Sequence, residues 1–394
     1  MWDVPLEATR VGPACPQSNG TQDGFLARGE GQEDCLTLNV WRPEGASGLP
    51  VLFFVHGGGH EDGAGSQPVY ARDPALAAQA VVVTHNYRLG PLGFLALPEL
   101  SAVDAQSVSG NQGVWDSLTA LRWVVENAAS FGGDPDRVLV FGESAGGLSA
   151  CALWMSEQAS GLMAGALTQS APCSSIERQM SGGEEGSSGY DQGQRLVEAL
   201  ACDGDADVLT CLQARSTEEV LRALPTSADL FARGVERWGV VVDGGLLRGG
   251  WSTTLASALH QPVPLHVGVN DEEARAFTVG MSISGPAAYR LTMLPFALVF
   301  GVPVDTLLEI WDPADFGGDH LEAFNAFYGD VVWVCPTRRV AAEVASLGGR
   351  RYLFARPFLG SEAIGAAHGL ELPYVFGTLP PLAPSEDEAL SVAM

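Results

Sequence analysis

A serine flanked by glycines, Gly142-Glu143-Ser144-Ala145-Gly146, is the stretch whose residue types and spacing most directly suggest chemistry. Apolar Val138 to Phe141 precede it and a segment rich in small residues follows. The pattern therefore reads as a buried strand, a tight turn and a helix. The glycines let the backbone turn sharply enough to lift the Ser144 hydroxyl clear of a sheet. The N–H of Ala145 then stands at a helix N-terminus, able to donate to an oxyanion. Serine alone is a poor nucleophile. It needs a base to take its proton and an acid to orient that base. The same five residues also describe an ordinary glycine-rich turn, so partners elsewhere in the chain must decide.

Four histidines follow the serine: His260, His266, His320 and His368. His260 and His266 precede or lie inside an expected strand, and His320 opens an expected helix. His368 sits in a Gly/Ala-rich loop from which an imidazole can reach a neighbouring strand end. For the acid, Asp271, Glu272 and Glu273 follow the strand Val263–Val269, and carboxyl ends of parallel strands are where such sheets place active sites. Pattern alone does not choose among the three. Upstream, His56-Gly57-Gly58-Gly59 follows the apolar run Pro50–Val55, and consecutive glycines leave backbone N–H groups free to face a ligand. Glu143, beside the serine, reads equally as support for the histidine or as a buried structural acid.

The elements that must position these groups alternate. Strands are expected at Leu36–Trp41, Pro50–Val55, Ala78–Asn86, the run ending at Gly142, Ala164–Gln169, Val263–Val269 and Tyr352–Phe358. Helices are expected over 111–129, 190–201, 216–224 and, in two pieces broken at Pro336, 319–347. Trp115, Leu118, Leu121 and Val125 give the first helix an apolar stripe, and Ser216 with Glu219 has capping-box spacing. Continuous rather than alternating apolarity suits strands buried on both faces. The expected class is α/β, a mainly parallel sheet covered by helices. Gly182–Gly189 reads as a flexible segment, and Asn19-Gly20-Thr21 is a glycosylation sequon.

The chain has 394 residues, 46% of them hydrophobic, and a formal charge of −26 with no lysine. That acidity argues against nucleic acid and anionic membrane surfaces as partners. No apolar run has the length of a membrane span. The seven cysteines form no C-x-x-C pair and no zinc spacing, so neither metal nor cofactor is expected. Cys15 and Cys35 flank one polar loop and Cys202 and Cys211 another, each able to close as a disulfide. Cys151 and Cys335 are expected to be reduced and buried.

Several stretches together resemble the type-B carboxylesterase and cholinesterase family within the α/β-hydrolases. They are Glu33-Asp34-Cys35 through Trp41, the glycine triplet after His56, Asn86-Tyr-Arg-Leu-Gly90, Asn111-Gln-Gly113, Phe131-Gly-Gly-Asp-Pro135, Gly142 to Gly147, Asp271-Glu272, and His368-Gly-x-Glu-Leu-Pro-Tyr-Val-Phe-Gly377. They span nearly the whole chain. The resemblance implies one α/β-hydrolase domain over 1–394 and a serine carboxylesterase acting on small-molecule esters through an acyl-enzyme, similar to bacterial para-nitrobenzyl esterases. It implies Ser144 as nucleophile, Glu272 as acid, His368 as base and the N–H groups of Gly58, Gly59 and Ala145 as oxyanion donors. It also implies the pairs Cys15–Cys35 and Cys202–Cys211, and a secreted or periplasmic setting.

The chain departs from the family in places. Relatives carry strands before Trp2 and helices after Met394, so truncation at both ends is expected. They have an aromatic or aliphatic residue at the position of His60. The Cys15–Cys35 loop has Phe25 but no tryptophan, which disfavours choline esters. A lysine-free acidic chain suits a bacterial source. The competing functional class is a catalytically silent cholinesterase-like binding domain or an inactive fragment; silent relatives lack the serine or histidine, and this chain keeps both.

Overall fold

The computed structural model describes residues 7–17, 31–70, 79–182, 187–204, 207–225 and 237–394. The Asn19 sequon, Phe25 and part of the Gly182–Gly189 segment lie outside the described residues. Among the described residues seven strands form one sheet: β1 (Leu38–Trp41), β2 (Leu49–Val55), β3 (Val81–His85), β4 (Gly133–Glu143), β5 (Gly165–Gln169), β6 (Leu265–Asn270) and β7 (Arg351–Phe354). Their order is β1-β3-β2-β4-β5-β6-β7. Only β1 is antiparallel to its neighbour; the others run parallel.

The apolar run of β2 is explained by its two faces. Phe53 and Phe54 are both fully buried, yet they enter different clusters because successive side chains point to opposite sides of a sheet. Phe53 joins Val83, Val140 and Leu118 on one face. Phe54 joins Val82, Phe141 and Phe376 on the other. The helix Gln112–Asn127 covers the first face with Val114, Leu118, Leu121 and Val124. Trp115 and Val125, expected on that stripe, are only half-buried, so the stripe is rotated by about one residue. The capping box at Ser216 and Glu219 forms, heading a helix over Thr217–Arg222.

The two expected helical pieces are His320–Gly329 and Cys335–Val344. They are joined by a π-helical turn at Asp330–Val334 rather than broken at Pro336, which sits in the first turn of the second, where a missing N–H costs little. Two helices not anticipated, Gly285–Phe300 and Val304–Ile310, precede them. The first presents Leu291, Leu294, Leu298 and Val299 at the surface. No single helix among the described residues is long and apolar enough to cross a membrane.

Cys15–Cys35 and Cys202–Cys211 are disulfides. Cys151, expected to be reduced, instead pairs with Cys173. The return of the chain through β5 lays the turn at Cys173–Ser175 against the helix Ala145–Met155, a proximity that no local spacing announces. Cys335 is a free thiol, exposed rather than buried.

Candidate active site

All the site elements leave the same end of the sheet. The glycine triplet follows β2, Ser144 follows β4 and the acidic run follows β6, each at a carboxyl end. Ser144 has φ 54° and ψ −126°, a conformation non-glycine residues rarely adopt. Its N–H donates to the Gln169 carbonyl at 2.9 Å, which ties the turn to β5. The helix Ala145–Met155 begins at once and packs on β4, β5 and β2. A methyl group at Gly146 would stand 2.0 Å from the Val55 carbonyl oxygen, so only glycine lets this helix approach β2.

The oxyanion loop folds back on itself. The N–H groups of Glu61 and Asp62 both donate to the Gly58 carbonyl at 2.9 Å. Gly58 has φ 101°, and a methyl there would collide with the Asp62 carbonyl. The Tyr87 hydroxyl donates to the His56 carbonyl at 2.8 Å, and the His56 and Tyr87 rings stack at 4.4 Å. The amides of Gly58, Gly59 and Ala145 donate to no described residue. The loop lies against the nucleophile, since a methyl on Gly57 would be 3.2 Å from Ser144 Cβ.

On the opposite side, His368 Nδ1 donates to Glu273 Oε2 at 2.6 Å. Glu273 is fully buried, and its other oxygen accepts the Asn270 N–H at 2.8 Å. Both carboxylate oxygens are therefore fixed. Phe277 and Trp333 flank the imidazole at 5.0 and 5.4 Å and stack on each other. The π-helical turn places Trp333 there.

This corrects the expectation for the acid: Glu272 does not meet His368. Its carboxylate pairs with Arg275 at 2.8 Å and accepts the Ala366 N–H at 2.7 Å. After β6 the chain enters a 3₁₀ turn at Glu273–Phe277. Glu273 and Phe277, four residues apart, share the inward face, whereas Glu272 and Arg275 share the outward one. That spacing was a usable signal in the sequence: an aromatic four residues on marks the inward acid, an arginine three residues on marks the outward one. Asp271 pairs with the sheet edge through its N–H, to the Phe354 carbonyl at 2.9 Å. With Glu272 and Arg275 it lines a cavity of about 510 Å³ on the outward side, whose walls include neither Ser144 nor His368.

His368 Nε2 lies 3.1 Å from Oε1 of buried Glu143. A further buried acid, Glu371, accepts from Asn270 Nδ2 at 2.6 Å and Gln169 Nε2 at 3.2 Å. Sequence reasoning gave it no role, although it is the glutamate of the His368-Gly-x-Glu motif. Burial would lower the His368 pKa, but Glu143 and Glu273 outweigh it and hold the group up at about 9. Burial raises Glu143 to about 7, against the pull of His368, and raises Glu371 to about 8 with help from Glu143 and Glu273. The site thus gathers three carboxyl groups around one imidazole, and protons are shared within the group.

The other three histidines that follow the serine stand apart from this site. His260 stacks on Trp154 at 4.5 Å, His266 Nδ1 accepts the Arg350 N–H, and His320 opens its helix.

A sequence profile of the Carboxylesterase family matches residues 1–292. The chain is 33% identical over 385 residues to a fumonisin B1 esterase of Sphingopyxis macrogoltabida, covering 96% of this chain and 68% of that protein. A para-nitrobenzyl esterase of Bacillus subtilis (strain 168) is 46% identical over 157 residues, 39% of this chain and 31% of that one. Two solved structures of PNB esterase superpose with TM-scores of 0.75 and 0.74, at 29% and 30% identity. They cover 96% and 99% of this chain and 77% and 78% of theirs. The sheet is that of an α/β-hydrolase, and the chain belongs to the carboxylesterase family, as a serine hydrolase of carboxylic esters.

Proposed function

We propose that Ser144, His368 and Glu273 form the catalytic triad, with the amides of Gly58, Gly59 and Ala145 as the oxyanion hole. The observation that carries the assignment is the 2.6 Å bond from His368 Nδ1 to doubly held Glu273. That bond keeps a proton on Nδ1, so when the imidazole is neutral it is Nε2 that is bare and accepts a proton from a hydroxyl. Ser144 Oγ attacks the ester carbonyl as His368 takes its proton. Negative charge on the carbonyl oxygen meets the three amides, and losing one such donor raises the barrier by roughly 2.7–4 kcal/mol. His368 then protonates the leaving alcohol, and a water activated by the same imidazole releases the acid from the acyl-enzyme. Glu273 stabilises the imidazolium in both steps, and Glu143, 3.1 Å from Nε2, adds to that stabilisation.

Three disulfides support an oxidising compartment, and hence a secreted or periplasmic setting; the lysine-free acidic composition supports a bacterial source. The substrate class is a small-molecule carboxylic ester. A fluorophosphonate probe tests the site: the wild-type protein is expected to label at Ser144, and Ser144→Ala to lose both label and ester turnover by several orders of magnitude. A folded wild-type protein that takes no label would sink the assignment.

A further inference from the structure

His60 follows the glycine triplet directly and differs from the apolar residue that the family resemblance leads one to expect there. It is almost fully buried, at 2% exposure, and holds a positive φ of 61°. Its Nε2 lies 2.9 Å from the Ser149 hydroxyl. Ser149 stands one turn beyond Ala145 on the helix that follows the nucleophile. One imidazole therefore reaches from the loop bearing two of the oxyanion amides to the helix bearing the third.

The ring has little freedom. Phe94 packs on it at 4.6 Å, and a methyl at Gly239 would be 3.2 Å from Nδ1. The His60 carbonyl accepts the Gly90 N–H at 2.7 Å, which fixes the backbone as well. Burial, with His56 nearby, drops its pKa to about 3, so the ring stays neutral wherever the enzyme works. A neutral imidazole has one donor and one acceptor, and a hydroxyl can pair with it without a charge being buried. An apolar ring at this position would fill the space but leave the Ser149 hydroxyl without that bond.

We propose that His60 is a positioning residue for ester hydrolysis. It fixes the spacing between the Gly58 and Gly59 amides on one side and the Ala145 amide on the other. The proposal rests on the assignment of Ser144 and those amides made above. Oxyanion donors act only when held where the charge develops, so slack between the two halves lowers kcat more than it raises KM.

The test compares His60→Phe, His60→Gln, Ser149→Ala and the double variant His60→Phe/Ser149→Ala. Readouts are kcat and KM on a para-nitrophenyl ester, and the inhibition constant of a trifluoromethyl ketone that forms a tetrahedral adduct. His60→Phe and Ser149→Ala are each expected to lower kcat by about three- to tenfold, the size of one buried hydrogen bond. KM should hardly change, and ketone affinity should fall in parallel with kcat. The double variant should be no worse than either single one, because both cut the same link. His60→Gln, which can still bond to Ser149, should recover part of the loss. Ser149→Ala removes one hydroxyl from a helix interior and so probes the link even if the His60 variants do not fold. The proposal is overturned if kcat and ketone affinity stay at wild-type values, or if the two single effects multiply. Failure of the Ser144 assignment looks different, because the wild-type enzyme would then take no fluorophosphonate at Ser144.

Discussion

The two sides of the active site are held by different physics. On the nucleophile side, position is set by backbone and steric contact: Ser144 at φ 54°, Gly146 against the Val55 carbonyl, and a loop folded onto the Gly58 carbonyl. On the base side it is set by charge. His368 stands among Glu273, Glu143 and Glu371, all buried, with aromatic rings closing the flank. The first kind of construction is insensitive to pH and intolerant of added volume. The second depends on which protons are present.

The largest expected effect separates two adjacent acids on the base side. Glu273→Gln should lower kcat about ten-thousandfold, because an amide at that position no longer selects the productive imidazole tautomer. Glu272→Gln should stay within a few-fold of wild type, since it loses a pair with Arg275 that is partly exposed. Equal losses in the two variants would break the assignment of the charged side to Glu273.

Next comes the steric side. Gly146→Ala places a carbon 2.0 Å from the Val55 oxygen and 2.5 Å from the His56 oxygen. It should cost about 3 kcal/mol or more of stability, visible as a lower denaturation midpoint, and that loss should be the same at pH 6 and pH 9. A loss that varied with pH would blur the distinction between the two sides.

The smallest effect reads the charged side through pH. Glu371 has its pKa raised from 4.5 to about 8 by burial. The folded state then binds its proton more tightly than the unfolded state. Stability from this group is complete below about pH 4.5 and is lost as pH rises through 8. His368, raised from 6.5 to about 9, has the same sign, full below 6.5 and lost through 9. The melting temperature of Glu371→Gln should therefore gain on wild type as pH climbs from 5 to 8. A gap between the two that does not move with pH would remove Glu371 from the proton-sharing group.

The same division explains what was legible in the sequence. The strand-turn-helix around Ser144, the glycine triplet, the parallel sheet and two disulfide loops are encoded by contiguous residues, and they stand where the spacing put them. His368 was singled out by its loop and its place in chain order. Its acid was not, because Asp271, Glu272 and Glu273 are alike in type and differ only in which way a short 3₁₀ turn faces them. The Cys151–Cys173 bond was missed for a related reason: a helix and a turn meet only after β5 has brought them together. The helix Gly285–Phe300 escaped notice because its apolar residues circle it instead of forming a stripe.

That helix has a consequence for how the protein behaves in solution. Leu298 and Val299 are 74% and 81% exposed, on a molecule whose formal charge is −26. At low ionic strength mutual repulsion keeps copies apart, and the exposed apolar side chains do not meet their like. At physiological salt the repulsion reaches only about 8 Å, and kosmotropic salts strengthen apolar attraction further. Salt is therefore expected to work against colloidal stability here from both directions, which light scattering across a salt series would check.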